Sequence, residues 1–156
     1  MKKILEHLLV IFLLVTAVFC YASYRAYAKL DRHVSAGWQT PATYGLKFED
    51  KYFKTEDGVR IASWYIPVKN PKAVVILVHG FQNTDGGKAI MLPHAAYLNR
   101  AGYSTLLLDL RSVGFSQGDR VTLGVNEWKD VAAAYDFAKS LPENKYKKIG
   151  FFILIL

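Results

Sequence analysis

Hydrophobic residues form one long block at the start of the chain and several short blocks after it. Residues 8–22 are apolar except for Thr16, and residues 4–24 add only a few polar side chains. A helix needs about 20 apolar residues to cross a bilayer. The pattern therefore predicts that residues 1–28 form a membrane anchor or a signal segment, with residues 4–24 in contact with the lipid bilayer.

The flanks of this block favour a single-pass anchor that is not cleaved. Lys2 and Lys3 precede it and favour a cytoplasmic N-terminus, although basic residues also follow it, so we expect the rest of the chain outside the cytoplasmic membrane. Small-residue patterns ending at Ala22 and Ala28 leave signal cleavage and secretion open as the alternative. The terminal position and the basic start argue against a buried core helix.

The short blocks begin after residues 29–48, a mixed polar stretch that we interpret as a connector to a domain over residues 49–156. Residues 51–55 and 61–66 are strand-like, and the turn signal Glu56-Asp57-Gly58 between them predicts a hairpin. Continuous apolar runs then predict strands buried on both faces. These runs cover residues 73–78, 103–108 and 148–156.

Helical spacing predicts two helices between these strands. The first covers residues 88–100 and begins or kinks near Pro93, and the second covers residues 127–141. The side chains that we expect on one face of the second helix are Trp128, Val131, Ala132, Tyr135 and Ala138. Strands that alternate with helices predict an α/β fold with a mostly parallel sheet and helices on both faces.

Composition and charge mainly exclude certain kinds of partner and site. The 156 residues carry a formal net charge of +7, but the lysines are scattered, and no basic stripe with interleaved aromatic residues indicates a nucleic-acid groove. We therefore expect no nucleic-acid partner. The single cysteine, Cys20, excludes an internal disulfide framework and a cysteine-rich zinc site.

Two motifs carry the chemical information in the chain. The first is the strand Val74-Val75-Ile76-Leu77-Val78 followed by His79-Gly80-Phe81, and the second is a strand ending in Asp109-x-Arg111-x-x-Gly114-x-Ser116. In this order, over residues 52–150, they resemble the α/β-hydrolase superfamily, most closely its membrane-anchored or secreted bacterial members related to serine aminopeptidases and esterases. The resemblance implies serine-dependent hydrolysis of a small ester or peptide, with no metal and no organic cofactor.

The resemblance also implies roles for the residues after the first strand. The loop that follows His-Gly supplies a backbone N–H to the oxyanion hole, which makes Phe81 and Gln82 the candidate donors. Gly80 then permits the tight turn. We interpret His79 as a residue that orients the loop by hydrogen bonding, and not as the general base.

The second motif contains a serine in a misleading context. Gly114-Phe115-Ser116-Gln117-Gly118 matches the Gly-x-Ser-x-Gly nucleophile elbow, but an elbow needs a strand directly before the serine and a helix directly after it. Neither is predicted there, so a structural role for Ser116 is favoured over a nucleophilic one. Asp109 and Arg111 are expected to form an ion pair or a loop scaffold, and Ser112-Val113 stands where the family often has Gly-His.

The family places its nucleophile elbow after the strand that begins at Lys148. The sequence there reads Phe151-Phe152-Ile153-Leu154-Ile155-Leu156, with no serine, and no acid or histidine of a triad follows. We therefore expect an N-terminal portion of a hydrolase that is inactive alone, and a frameshift or premature stop is one hypothesis for the change. The alternative is a non-catalytic, membrane-tethered interaction module that pairs with another chain through this apolar strand.

Overall fold

The computed structural model describes residues 2–30, 35–81, 86–144 and 147–154. The chain divides into two compact units, Met1–Arg32 and His33–Leu156. Helix α1, Lys2–Leu30, makes up the first unit. Its segment Lys2–Ala28 has a mean hydropathy of 2.3 and is long and apolar enough to cross a membrane, a property that a signal sequence shares.

The second unit is built on a five-stranded mixed sheet. Its strands are β1 (Glu49–Lys54), β2 (Arg60–Ile66), β3 (Val74–Val78), β4 (Ser104–Leu108) and β5 (Ile149–Ile153). They lie in the order β1-β2-β4-β3-β5, with β3 parallel to both β4 and β5 and with β2 antiparallel to both β1 and β4. The predicted α/β class and hairpin are confirmed, but the sheet is mixed rather than mostly parallel, because β2 is antiparallel to both of its neighbours.

Two helices cover opposite faces of the sheet, as predicted. Alternate side chains of a strand point to opposite faces. Accordingly, Ile76 of β3 belongs to the core cluster that contains Ala134 and Ala138 of helix α3 (Glu127–Ser140), whereas Leu77 belongs to the cluster that contains residues of helix α2 (Leu92–Arg100). Short 3₁₀ helices lie at Pro41–Tyr44, Gly87–Met91 and Pro142–Asn144.

The ends of helix α2 follow from local sequence. Pro93 lies in its first turn, where the missing N–H costs no hydrogen bond. At the other end the Tyr103 N–H donates to the Leu98 carbonyl and the Gly102 N–H to the Asn99 carbonyl, both at 3.0 Å. Gly102 has φ +90°, which permits this glycine-terminated cap and aims the chain into β4.

The predicted apolar face of helix α3 is only partly confirmed. Ala138 is buried and Val131 packs against the core, but Ala132 is exposed, and Trp128 and Tyr135 are 54% and 37% exposed. The buried residues are instead Glu127, Asp130, Ala134 and Ala138. Periodicity favoured the large apolar side chains, but the alanines allow the helix to lie close to the sheet, and the two acidic residues are buried because each binds several donors.

Two further segments have contacts that the hydrophobic pattern alone does not give. Phe151 to Ile153 of β5 are exposed, although a continuous apolar run is typical of a strand buried on both faces; among the described residues β5 pairs with β3 alone and lies at an edge of the sheet. Within residues 29–48, which we predict to be a connector, Leu46 and Phe48 pack against the core cluster beneath helix α2. The Phe48 ring contacts Trp64 edge-on at 5.9 Å between centroids.

Candidate functional site

A cleft of about 430 Å³ opens at the carboxyl ends of β3 and β5. Open parallel sheets place ligand sites at this edge. The lining comes from the ends of β3 and β5, the loops after β3 and β4, and the start of helix α3. Its larger apolar members are Phe81, Ile90, Val113, Val121, Leu123, Trp128, Val131, Ile153 and Leu154.

His79 links the ends of β3 and β4 at the wall of this cleft. Its Nε2 accepts the backbone N–H of Leu110 at 3.1 Å, so Nδ1 carries the proton and donates to the Gly80 carbonyl at 2.9 Å. The side chain is buried, and burial lowers its pKa below the usual value of 6.5. The ring is therefore neutral, and both nitrogens are occupied in positioning the loop after β3.

The candidate oxyanion donors lie at the start of that loop. Phe81 lines the cleft together with Gly80 and is 36% exposed. Gln82, the second candidate, lies outside the described residues. The His-Gly-Phe segment therefore reaches the cleft directly from the end of a buried parallel strand.

Asp109, at the end of β4, is held by a buried lysine that sequence reasoning missed. The carboxylate accepts the Lys88 backbone N–H at 2.7 Å, the Lys88 ammonium at 2.5 Å and the Phe115 N–H at 3.1 Å. A Cβ at Gly87 or Gly114 would come within 2.4 or 2.3 Å of its oxygens. The two glycines therefore permit the chain to close around the carboxylate, and no periodic signal marked Lys88.

The expected ion pair between Asp109 and Arg111 is not formed. The Arg111 guanidinium binds Asp130 of helix α3 at 2.8 Å and Asp57 of the hairpin turn at 2.9 Å, while Asp109 pairs with Lys88. Both residues follow the end of β4 at Leu108, and the chain turns at Arg111, so the alternation of an extended strand does not fix the direction of the two side chains. The other expectation, a loop scaffold, agrees with these contacts, since Arg111 joins the hairpin, the loop and helix α3.

Charge pairing and burial act on these groups in opposite directions. Hydrogen bonds from Arg111 and Thr55 hold the pKa of the Asp57 carboxyl below its usual range. Burial raises the pKa of Asp130, and the contacts with Arg111 offset only part of that shift. Burial by itself would lower the pKa of Arg111, but its two carboxylate partners raise it overall. The Arg111 guanidinium therefore stabilises the ionised form of both carboxylates.

Ser116 is placed inside the protein. It is 3% exposed, its Oγ donates to the Asp109 carbonyl at 2.6 Å, and it accepts the Ala62 N–H at 2.8 Å. No helix begins until Glu127. The hydroxyl therefore bridges β2 and the end of β4, in a geometry that favours a structural role.

Glu127, in the first turn of helix α3, closes the far side of the cleft. Its carboxylate accepts the N–H of Thr122 at 2.6 Å, the Thr122 hydroxyl at 2.7 Å and the N–H of Gly124 at 2.7 Å. Burial raises the pKa of this group, but these donors lower it below its usual value overall. An acidic residue in the first turn of a predicted helix was the available signal for such a role.

Metal ligands do not cluster in the described part of the chain. Within residues 2–30, 35–81, 86–144 and 147–154, no three His, Cys, Asp or Glu side chains lie close enough together to hold an ion.

Comparison with known proteins gives structural relatives only. No family model matches the chain, and no curated protein matches it. An esterase from Pyrococcus furiosus superposes with a TM-score of 0.70 and 28% identity over 80% of this chain, and an α/β-hydrolase from a Penicillium species with 0.62 and 26% over 70%. A serine hydrolase from Xanthomonas campestris, described as lacking a lid, shares the fold at a TM-score of 0.59 and 17% identity over 69% of the chain.

The match covers 46% of the Pyrococcus esterase, 38% of the Penicillium protein and 50% of the Xanthomonas protein. The chain thus spans half or less of the length of these solved hydrolases. These neighbours support the resemblance seen in the sequence. The second unit has the fold of part of an α/β-hydrolase domain, and the chain is similar to esterases and hydrolases of the α/β-hydrolase superfamily.

Proposed function

We propose that this chain provides the oxyanion side and the substrate cleft of a serine-dependent hydrolase that acts on a small ester or peptide. The observation that carries the proposal is the cleft at the carboxyl ends of β3 and β5, into which the His79-Gly80-Phe81 turn leads. A backbone amide fixed at such a strand end can stabilise the oxyanion of an acyl-transfer intermediate. The relation to serine aminopeptidases in particular rests on the sequence motifs alone.

The 156 residues are proposed to be inactive by themselves. The nucleophile elbow of this fold follows a strand directly. No serine follows β5, and Ser116 is buried and hydrogen-bonded to two backbone groups. Without a nucleophile and its base, a serine hydrolase has no covalent route to its acyl intermediate.

Helix α1 is proposed to hold this domain at the outer side of the cytoplasmic membrane. Its basic start and its apolar length support an uncleaved, single-pass anchor, and secretion after signal cleavage is the alternative. The fate of the segment is read directly from the N-terminal peptide of the mature protein by mass spectrometry.

The test begins with the gene. We would sequence it from an independent template and translate the DNA after Gly150 in all three frames. We expect a Gly-x-Ser-x-Gly followed by a helical pattern, with later Asp and His. The restored protein should then react with a fluorophosphonate probe, and the elbow Ser→Ala variant should not.

The matched control is Ser116→Ala in the restored protein, which should keep its labelling. Labelling of the 156-residue chain itself that disappears in Ser116→Ala would contradict the proposal, because it would make Ser116 the nucleophile. If no reading frame holds an elbow, the hydrolase proposal fails for this gene. The non-catalytic interaction module then becomes the better account.

That second candidate is favoured by one feature of β5. Phe151, Phe152 and Ile153 are 46%, 38% and 55% exposed. Unpaired apolar strands form ready templates for another chain. An interaction module predicts that the 156-residue chain is recovered in a defined complex from native membranes, and recovery only as a monomer or an aggregate would contradict it.

A further inference from the structure

The carboxyl edge of the sheet carries large apolar side chains that lie outside the cleft. Trp38, Phe115 and Val125 are 87%, 59% and 73% exposed, and none of the three is part of the described cleft lining. With Leu123, which is 59% exposed, we call them the apolar rim. Since one aromatic side chain offers roughly 150–250 Å², the four together expose on the order of 500 Å², as much as the largest apolar patch of a typical monomer.

The two aromatic residues of the rim lie beside one short segment. The Phe115 ring is 5.2 Å from the Lys88 ammonium. Trp38 directly follows Gly37, where a Cβ would come within 2.8 Å of the Ala89 Cβ. Because Lys88 is bonded to the carboxylate at the end of β4, this segment belongs to the carboxyl edge of the sheet.

The two aliphatic residues of the rim, Leu123 and Val125, lie in the loop before helix α3. The Gly124 N–H between them donates to the Glu127 carboxylate at 2.7 Å, which fixes the backbone that carries both side chains. Between Phe115 and Leu123 the loop holds one acidic and one basic residue, so that stretch has no net charge. A partner of the rim is therefore attracted by apolar surface and not by charge.

The chain enters the second unit at the same edge. The Gly86 N–H donates to the Ser35 carbonyl at 3.2 Å, and Ala36 forms a bridge with Gly86. Ser35 lies five residues after Leu30, the last residue of helix α1. Five residues span at most about 18 Å, so anchoring by helix α1 keeps this edge within reach of the bilayer surface.

We propose that the apolar rim inserts into the surface of the bilayer in which helix α1 is anchored, an inference that rests on the proposed anchoring and adds a second contact with lipid. Tryptophan is enriched at the membrane–water interface. Apolar side chains bind the boundary between headgroups and acyl chains at a depth of about 5–10 Å. Zwitterionic lipid suffices for this contact, because the attraction does not depend on charge.

The experiment places one fluorescent probe at a time on the full chain in phosphatidylcholine vesicles. Cys20→Ser removes the natural thiol, and Phe115→Cys or Val125→Cys then carries an environment-sensitive nitrobenzoxadiazole probe. Lys148→Cys is the matched control, because Lys148 is exposed directly before β5, at the opposite edge of the sheet. Cooperative unfolding in denaturant verifies that each labelled variant is folded.

We expect lipids that are brominated in the acyl chain to quench the probes at positions 115 and 125. Shallow and deep bromines compared should place both probes about 5–10 Å below the headgroups. The probe at position 148 should remain unquenched, with the emission of a probe in water. Vesicle flotation on a density gradient measures the anchoring by helix α1 separately, and neither readout needs a nucleophile.

Three results in floating protein would overturn the inference and leave the anchor in place. Unquenched probes at positions 115 and 125 with emission as in water would mean that the rim stays in solvent. A blue shift without quenching by lipid would mean that a protein covers the rim. Equal quenching at positions 125 and 148 would mean that no particular edge of the domain contacts the bilayer. Protein that does not float would overturn the anchor and the inference together.

Discussion

The loop after β4 and the cleft beside it are neighbours with opposite chemistry. In the loop, the Asp109 carboxylate binds Lys88, the Arg111 guanidinium binds the hairpin turn and helix α3, and the Ser116 hydroxyl binds β2 and the Asp109 carbonyl. In the cleft, large side chains such as Trp128 and Leu123 remain half exposed. The comparison teaches that the polar groups of the loop satisfy and stabilise one another. The cleft, in contrast, leaves apolar side chains exposed and is suited to binding an apolar group.

The largest expected difference between the two regions concerns buried charge. Asp109→Asn removes the partner of the Lys88 ammonium, whose side chain is only 4% exposed. Breaking a buried pair in this way costs about 3–5 kcal/mol in the free energy of unfolding. Denaturant titration of the full chain in detergent, followed by tryptophan fluorescence, measures this change in the free energy of unfolding.

Two control variants test whether the loss of stability is specific to the buried ion pair. Lys51→Met removes the surface partner of Glu49 and should cost less than about 1 kcal/mol. Trp128→Ala in the cleft should also cost less than about 1 kcal/mol despite the size of the side chain, since it is exposed. Equal losses for Asp109→Asn and Trp128→Ala would remove the distinction between loop and cleft.

A smaller effect should separate close packing from backbone strain. Gly114 and Gly58 both have positive φ, +57° and +82°, but a Cβ at Gly114 would meet the Asp109 carboxylate at 2.3 Å, whereas one at Gly58 would meet nothing within 4 Å. Gly58→Ala should cost about 1 kcal/mol for its backbone conformation. Gly114→Ala should exceed it by about 1–3 kcal/mol from the added overlap.

The same denaturant titration compares the two variants. A result in which Gly58→Ala is as damaging as Gly114→Ala would show that φ alone decides the cost. The tight fit around Asp109 would then contribute nothing measurable, and the loop would be less closely packed than its contacts indicate.

The sequence predicted the strands better than it predicted their surroundings. Apolar runs located β3 and β4 within a residue, because strands buried on both faces need continuous apolar residues. The same argument did not predict the exposure of β5, because the burial of a strand depends on the elements packed around it, which its own sequence does not specify. It failed for helix α3 because Glu127 and Asp130 are buried through specific hydrogen bonds, Glu127 with the preceding loop and Asp130 with Arg111, and such pairings carry no periodic signal.

The candidate site was likewise predicted only in part from the sequence. The His79-Gly80-Phe81 turn was found by its motif, and its place beside a cleft follows from parallel topology. Lys88 was missed because a lysine at the start of a predicted helix is normally exposed, and only the three-dimensional proximity of Asp109 makes its burial tolerable.

The smallest expected effect is a pH dependence that arises from His79. Burial lowers the folded-state pKa of this ring below its usual 6.5. Between the two values the unfolded chain binds a proton that the folded one does not, so the free energy of unfolding falls as the pH drops below about 6.5, by at most about 1.4 kcal/mol per pH unit. His79→Gln should lower stability at pH 7.5 but flatten its change between pH 7.5 and 5.5. If the pH dependence of the free energy of unfolding persists in His79→Gln, it arises from another titratable group. The assignment of His79 as a neutral residue that positions the loop would then lose its support.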